Sequence, residues 1–301
     1  MASLLLPLAS AQQTAGQLRP EARAQVIGGQ GAFRYRYLPH LLLPPAGAAM
    51  VNCHGLVVDA DGNIYLTYEN DGVDANCLIK WRADGTDGRF LSPSDLSSLC
   101  SGVPHGLTIS DEEGVQYLYH ANNQQTLTKT TLEGEIVWQR TGYFGQPSSQ
   151  LYRPTWFAVP PGRRMIYLCD GYGSNHVYVF DRTDGSFMNR TYGGKGGRDQ
   201  HGDFSTNHGC TWDPRNDKIA ISDRANSRIE YFDFNDHGRW SYSHTVDMRP
   251  VMGSQTLPCN LRAYPEQHGH AVSPDLTGPV AVLDKINTVV SVVNVSSLLA
   301  V

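Results

Sequence analysis

The 301-residue sequence predicts an all-β fold, a single β-propeller with five blades by repeat count. Three observations predict it: one motif occurs five times, its copies lie about 50 residues apart, and each copy contains only short strands and turns. In each copy, the second strand ends 15 or 16 residues after the opening residue. The copies open at His54, His105, Thr155, His208 and His268, and their second strands end at Glu69, His120, Asp170, Asp223 and Asp284.

Each repeat is predicted to contribute the strands of one blade, in order from the axis outward. The first strand begins at the opening residue and should line the axis, with the sequences LVVD, LTIS, FAVP, CTWD and AVSP. The second is rich in β-branched and aromatic residues, which is typical of a buried strand. The third follows a polar turn, and the fourth begins close to a glycine such as Gly134 or Gly185.

The last repeat ends after its third strand, so the fourth is predicted to come from the N-terminus. Residues 31–37 repeat the Gly-x-Phe start found at Gly185 and lie at the same distance before His54 as Gly185 lies before His208. This strand would close the ring and leave no exposed sheet edge. Six blades remain an alternative, with a degenerate blade in residues 238–267. Cys259 is an alternative to His268 as the start of the last blade, although HGHAVSPD matches the earlier repeats better.

Residues 1–25 are interpreted as a signal-like or disordered segment, and residues 26–301 as the propeller domain. The apolar stretch from Leu4 to Leu8 precedes Ala9-Ser10-Ala11, a small-x-small pattern typical of signal cleavage sites. Six cysteines and the sequons at Asn189 and Asn294 favour a secreted or lumenal glycoprotein with disulfides. Buried free thiols are the alternative for the cysteines.

The bulk composition excludes two classes of partner. The net charge of −5 gives no sign of a nucleic-acid surface. No apolar run reaches the roughly 18 residues of a membrane span. A small-molecule or peptide-derived substrate and a monomeric state are therefore expected.

Four histidines are predicted to meet at one end of the propeller axis. His54, His105, His208 and His268 occupy equivalent repeat positions, with Thr155 in the fifth place. Imidazole nitrogens that converge on one point are typical ligands of zinc, with ferrous iron as the alternative. The competing interpretation is that each histidine only hydrogen-bonds neighbouring backbone.

Polar residues after the second strands are predicted to surround this ring. Tyr172, Arg224 and Lys285 are the candidate catalytic residues, because turn geometry does not require these residue types. Asp223 and Asp284, each with an asparagine three residues later, are expected to organise turns through backbone hydrogen bonds.

The repeats resemble those of NHL-repeat propellers, and the middle of the chain resembles the lyase domain of peptidyl-α-hydroxyglycine α-amidating lyase. The resembling segments are 153–155, 170–175, 207–209 and 222–229. The resemblance implies a zinc ion held by His105, His208 and His268, with Tyr172 as the catalytic tyrosine. In that family the site converts a carbinolamide into an amide and an aldehyde.

The sequence departs from the family at three points. Glu69 stands near the place of the family's catalytic arginine, and Gly269 replaces an acidic residue that helps to hold a structural calcium ion. His54 is an additional histidine, and the family has six blades. A related chemistry on a different substrate is therefore expected, with Arg224 as the replacement cation and without structural calcium.

A metal-dependent lyase-type enzyme with its site at the propeller axis is the leading functional hypothesis. The alternatives are a non-catalytic NHL-type binding module, a metal-dependent propeller hydrolase and an oxygenase with histidine-bound iron. A lactonase-type calcium site is disfavoured, because the axial positions hold imidazoles rather than carboxylates.

Overall fold

The computed structural model describes residues 6–7, 26–38, 40–70, 76–91, 97–142, 152–266 and 269–294. Within them, five antiparallel sheets of four strands each form the five blades of a β-propeller, and a three-stranded sheet stands at the N-terminus. The predicted all-β fold is thereby confirmed. No helix among the described residues is long and apolar enough to cross a membrane.

The strands follow one another in chain order, and most begin within a few residues of a turn. The N-terminal sheet contains β1 (Leu6–Pro7), β2 (Val26–Gln30) and β3 (Phe33–Arg36). Blade 1 contains β4 (Met50–Val58), β5 (Ile64–Asn70), β6 (Leu78–Trp81) and β7 (Arg89–Phe90). Blade 2 follows the one-turn helix α1 (Ser97–Cys100) and contains β8 (Pro104–Glu112), β9 (Val115–Asn122), β10 (Thr126–Thr131) and β11 (Ile136–Thr141).

The second half of the propeller repeats this arrangement. Blade 3 contains β12 (Trp156–Ala158), β13 (Met165–Cys169), β14 (His176–Asp181) and β15 (Phe187–Gly193). Blade 4 contains β16 (Asn207–Asp213), β17 (Lys218–Asp223), β18 (Arg228–Phe234) and β19 (Trp240–Asp247), with a short 3-10 helix (Arg224–Asn226) between its middle strands. The helix α2 (Arg249–Met252) leads to blade 5, which contains β20 (Arg262–Tyr264), β21 (His270–Pro274), β22 (Val280–Leu283) and β23 (Val289–Val293).

The hydrophobic core lies between the faces of neighbouring blades. All five residues of β13 are buried, and Tyr167 and Cys169 pack with Ile219 and Phe232 of blade 4. Burial of one such large apolar side chain stabilises the fold by roughly 1.5–3 kcal/mol. The aromatic and β-branched content that predicted the buried strands is therefore what holds adjacent blades together.

Blade 5 begins at Cys259 rather than at His268, which corrects the preferred sequence interpretation. Pro258 bridges Asp275, the amide of Cys259 donates to Pro274 O at 2.9 Å, and β20 continues the same antiparallel pairing with β21. The segment that matched the other repeats is thus the second strand. Neighbouring strands of a hairpin share the same alternation of apolar and polar residues. The pattern alone therefore assigned the second strand of blade 5 as its first. His268 itself lies outside the described residues.

The N-terminal segment meets the last blade, as predicted, but not as its fourth strand. Strands β20 to β23 already supply four. The N-terminal sheet packs on them through the buried Tyr35, which contacts Val282 and Val293. The amide oxygen of Gln30 accepts from Val292 N at 2.7 Å. The following segment reaches blade 1, where Trp81 Nε1 donates to Leu43 O at 2.8 Å.

One disulfide, Cys77–Cys100, joins the start of β6 to α1. Cys53, Cys169, Cys210 and Cys259 are free thiols. The disulfide prediction thus holds for Cys77 and Cys100, and the buried-thiol alternative holds for Cys169 and Cys210, while Cys53 and Cys259 are only partly buried. The predicted signal-like segment lies outside the described residues except for β1.

Candidate functional site

His105 and His208 each occupy a β-bulge at the start of an innermost strand. The pairing of β8 with β9 shifts between Pro104 and Gly106, and that of β16 with β17 shifts between Asn207 and Gly209. A bulge leaves one residue outside the ladder and turns its side chain in a new direction. His54 lies within a third shift, between Cys53 and Leu56. The recurring histidine thus marks a recurring irregularity of the innermost strand.

The glycine after each of these two histidines lets the next blade approach closely. A Cβ atom on Gly106 would lie 2.3 Å from Thr155 O, and one on Gly209 would lie 2.6 Å from Cys259 O. The same carbonyls accept hydrogen bonds from the histidines. His105 Nδ1 lies 2.9 Å from Thr155 O, and His208 Nδ1 lies 2.8 Å from Cys259 O.

These backbone contacts set the tautomer of both imidazole rings. A carbonyl oxygen only accepts, so each Nδ1 carries the proton and each neutral ring presents a lone pair at Nε2. The two Nε2 atoms face each other at 3.1 Å. Burial lowers the pKa of His208 to about 3 and holds the pKa of His105 well below its ordinary value, with nearby positive charge as a smaller cause. The arrangement therefore brings two unprotonated ring nitrogens to one point.

His54 lies beside this pair. Its ring stacks on that of His105 with the centroids 4.2 Å apart. Its Nε2 atom is buried, has no hydrogen-bond partner among the described residues, and lies 3.8 Å from Glu69 Oε2. Burial lowers the pKa of His54, while Glu69 opposes that shift. Three of the four predicted histidines are thus close together, and their role as ligands stays a prediction.

The donor chemistry fits a metal ion such as zinc. Two facing Nε2 lone pairs repel each other unless a cation lies between them, and Nδ1 bonds to backbone carbonyls are the usual support of metal-bound histidines. The ring of His54, which stacks on His105, offers a further buried Nε2. Within the described part of the chain, no three His, Cys, Asp or Glu side chains converge as a complete ligand set. His105 and His208 therefore remain candidate ligands.

Tyr172 and Arg224 cover the histidine pair. The ring centroid of Tyr172 lies 5.3 Å from those of His105 and His208. Arg224 Nη1 donates to the Tyr172 hydroxyl at 2.9 Å, and its Nη2 lies 3.3 Å from Cys259 Sγ. The two predicted catalytic side chains are thus in direct contact with each other, at the same end of the propeller as the histidines.

Buried aspartates hold the turns that carry these two residues. Asp170 accepts from the amide and hydroxyl of Ser174, each at 2.7 Å. Asp223 accepts from Ser205 N at 2.7 Å and from Asn226 Nδ2 at 2.7 Å. Asp223 was expected to bond the backbone of its own turn, but its carboxylate instead accepts from Ser205 N of the preceding loop and from the side chains of Asn226 and Arg228. Asp284 organises its own turn as predicted, by accepting from Ile286 N and Thr288 N.

Lys285, the third candidate catalytic residue, does not join this site. Its neighbour Asp284 accepts at its carbonyl from Arg215 Nη1 at 2.8 Å. Arg215 follows the far end of β16, whereas His208 stands at the start of that strand. Lys285 is therefore exposed at the opposite end of the propeller. The one-strand error in blade 5 caused this mistake, because Asp284 ends the third strand and not the second.

The structure adds residues that were not among the predicted site residues. Cys259, the alternative start of the last blade, takes the position in blade 5 that histidine takes in blades 2 and 4. A cleft of about 420 Å³ opens beside Tyr172 and is lined by residues that include Arg153, Asn175, Lys195 and Thr206. No local motif marks these four as neighbours.

No protein-family model matches the chain. Over 206 aligned residues it is 24% identical to the peptidylglycine α-amidating monooxygenases of Rattus norvegicus and Mus musculus. The match covers 59% of this chain and 20% of each relative, so the chain spans about a fifth of their length. This weak sequence similarity confirms the family resemblance found in the motifs.

Two solved structures share the fold. A streptogramin B lyase superposes with a TM-score of 0.51 at 15% identity, over 86% of this chain and 72% of the lyase. A gluconolactonase-like protein superposes with a TM-score of 0.56 at 16% identity, over 84% of each chain. The chain is therefore an all-β propeller with distant similarity to an amidating enzyme and to gluconolactonase-like proteins.

Proposed function

We propose that this protein is a metal-dependent lyase-type enzyme whose active site lies at the histidine end of the propeller axis. The observation that carries the proposal is the 3.1 Å separation of the His105 and His208 Nε2 atoms. The backbone contacts at Nδ1 place the ring proton there, and burial disfavours a second proton at Nε2. The weak similarity to an amidating enzyme supports the reaction class.

His105 and His208 would hold the metal ion, with His54 as the third candidate ligand. A bound zinc ion, or ferrous iron as the alternative, would supply Lewis-acid polarisation of a substrate oxygen. The carbonyls of Thr155 and Cys259 fix both ring orientations, so that both Nε2 atoms face the same point.

Tyr172 is the proposed general base, because its ring contacts both histidines and its hydroxyl faces Arg224. In the breakdown of a carbinolamide, the substrate hydroxyl loses its proton, a carbonyl forms, the C–N bond breaks and the nitrogen gains a proton. In this scheme the Tyr172 hydroxyl accepts the proton of the substrate hydroxyl and passes one proton to the departing nitrogen, so that the tyrosine ends as it began. Arg224 positions the Tyr172 hydroxyl by donating a hydrogen bond to it from Nη1.

Release of aldehyde from an N-acyl-α-hydroxyglycine tests the proposal. Tyr172→Phe is expected to lower kcat by about 10²- to 10⁴-fold while the metal content stays unchanged, because only the proton transfer is removed. Lys285→Gln is the matched control and should turn over as the wild type does. The proposal is wrong if the wild type releases no aldehyde, or if Tyr172→Phe turns over as fast as the wild type.

A further inference from the structure

The cleft beside Tyr172 carries two cations that have no acidic partner. Arg153 and Lys195 both line it, on the loops that open blade 3 and join blade 3 to blade 4. Neither side chain forms an ion pair or hydrogen bond within the described ranges, whereas Arg164, Arg215 and Arg228 are each paired with an aspartate. Two unpaired cations on one concave surface form an electropositive site.

Buried groups hold the wall of the cleft near Lys195 in place. Arg228 is 1% exposed and donates to the carbonyls of Arg198, Gln200 and Asp203, all in the loop that follows Lys195. The opposite wall is held by Asp170, whose carboxylate accepts from the amide of Arg153. These contacts fix the backbone on both sides without using the cationic side chains.

Two carboxylates behind the cleft, Asp170 and Asp223, are already satisfied, whereas the carboxylate of Asp203 lies on the Lys195 side, with Oδ1 3.7 Å from a Cβ atom built on Gly194. Asp170 accepts from Ser174, and Asp223 accepts from Ser205, Asn226 and Arg228. The negative charge of Asp170 and Asp223 is therefore offset by these donors. Arg153 and Lys195 remain available for a ligand.

Two residues of the cleft have left-handed backbone. Asn175 has φ +63° and Thr206 has φ +67°, and the amide of Thr206 donates to Asn175 Oδ1 at 2.6 Å. This conformation is costly for a β-branched residue such as threonine and persists only where the surroundings enforce it. Such enforced backbone is common where a ligand site is preorganised.

We propose that this cleft binds an oxyanion, the carboxylate or phosphate group of the substrate, between Arg153 and Lys195. The inference rests on the proposed function, because it places that substrate against Tyr172. Arg153 offers a planar fork of donors and Lys195 a point charge, which together suit a carboxylate or a phosphate. The substrate class is accordingly an anionic one, held by the cleft while its reacting carbon lies over the histidines.

Binding of small anions tests the inference without any turnover. Inorganic phosphate, acetate and its neutral isostere acetamide are titrated into the full chain, and the Tm is followed at constant ionic strength. A ligand that binds the folded state raises Tm in a saturable way. Phosphate or acetate is expected to raise Tm, and acetamide is not. The anion that binds more tightly indicates whether the substrate carries a phosphate or a carboxylate group.

Variants locate the binding. The Arg153→Gln, Lys195→Gln double variant is expected to bind the anion at least about tenfold more weakly, since a charge-assisted hydrogen bond contributes about that factor or more. Lys285→Gln should bind as the wild type does. A wild type without a saturable shift, or a double variant that binds equally well, would overturn the inference.

Two further variants separate this site from the proposed catalytic one. Tyr172→Phe and His208→Ala should retain anion binding, because neither removes a cation of the cleft. Loss of anion binding in His208→Ala would assign the anion to the histidine centre and overturn the cleft. Intact anion binding in a protein that releases no aldehyde would overturn the proposed function and leave the cleft standing.

Discussion

The Nε2 atoms of His105 and His208 face each other at 3.1 Å, although the two residues are 103 positions apart in the chain. Each ring is oriented by a carbonyl of the following blade, Thr155 O for His105 and Cys259 O for His208. The same two hydrogen bonds therefore join neighbouring blades and orient the histidine rings. A change that separates two blades should also turn a histidine.

Gly209→Ala tests this connection. The new Cβ atom would lie 2.6 Å from Cys259 O, so the inner strand of blade 5 must move away and the His208 Nδ1 contact must lengthen. We expect a loss of about 1–3 kcal/mol in the free energy of unfolding, measured by urea denaturation. Metal content should fall in parallel.

Gly197→Ala is the matched control, because the nearest atom to its new Cβ is the flexible Gln200 Oε1 at 3.9 Å. Its stability and metal content should match those of the wild type. Equal behaviour of the two variants would contradict the role assigned to the close approach.

Arg228→Met tests the buried ion network behind the cleft. Arg228 is 1% exposed, and its partners Asp223 and Glu230 are fully buried, so the substitution leaves two carboxylates without their counter-charge. We expect a loss of about 3–5 kcal/mol in the free energy of unfolding. Arg239→Met removes an ion pair whose arginine is 61% exposed and should cost less than about 1 kcal/mol. A similar loss in both variants would show that the network does not stabilise the fold.

His120, whose Nε2 lies 3.0 Å from the Thr130 hydroxyl, gives a prediction for pH dependence. Burial lowers its pKa from 6.5 to about 3 in the folded state. Between those values the unfolded chain binds the extra proton and the folded chain does not, so acidification favours unfolding. This group should reduce stability by about 1.4 kcal/mol per pH unit on going below about pH 6.5, and should have no effect above it.

Urea denaturation of His120→Gln at about pH 7, 6 and 5 isolates that contribution. The variant should lose stability less steeply with falling pH than the wild type does. His237→Gln, at an exposed position, should follow the wild-type slope. An unchanged slope in His120→Gln would mean that His120 takes up a proton in the folded state.

The blade pattern and the first three histidines were predictable from the sequence because each is a local signal repeated at a fixed spacing. A His-Gly pair marks the bulge and the close approach that follows it at Gly106 and Gly209. Blade 5 was misassigned because Cys259-Asn260 performs the same structural role without that pair. Because of this error, Lys285 was predicted at the histidine end of the propeller, whereas it lies at the opposite end.

The cleft and its cations were not predictable for a different reason. Arg153 belongs to a segment that resembles the amidating lyases as a whole, and Lys195 lies in a glycine-rich segment that favours a flexible loop. Their importance comes from what they lack, an acidic partner, and from the way Arg228 and Asp170 hold the loops on either side. Pairing of this kind depends on tertiary packing and has no periodic signature.

The central claim is that the facing histidines bind a metal ion. Plasma mass spectrometry of the wild type, His208→Ala and His237→Ala, purified without a metal-affinity tag, tests it most directly. About one zinc or iron per chain is expected in the wild type and in His237→Ala, and none in His208→Ala. Equal metal content in both variants, or a wild type that takes up no metal on titration, would contradict the claim.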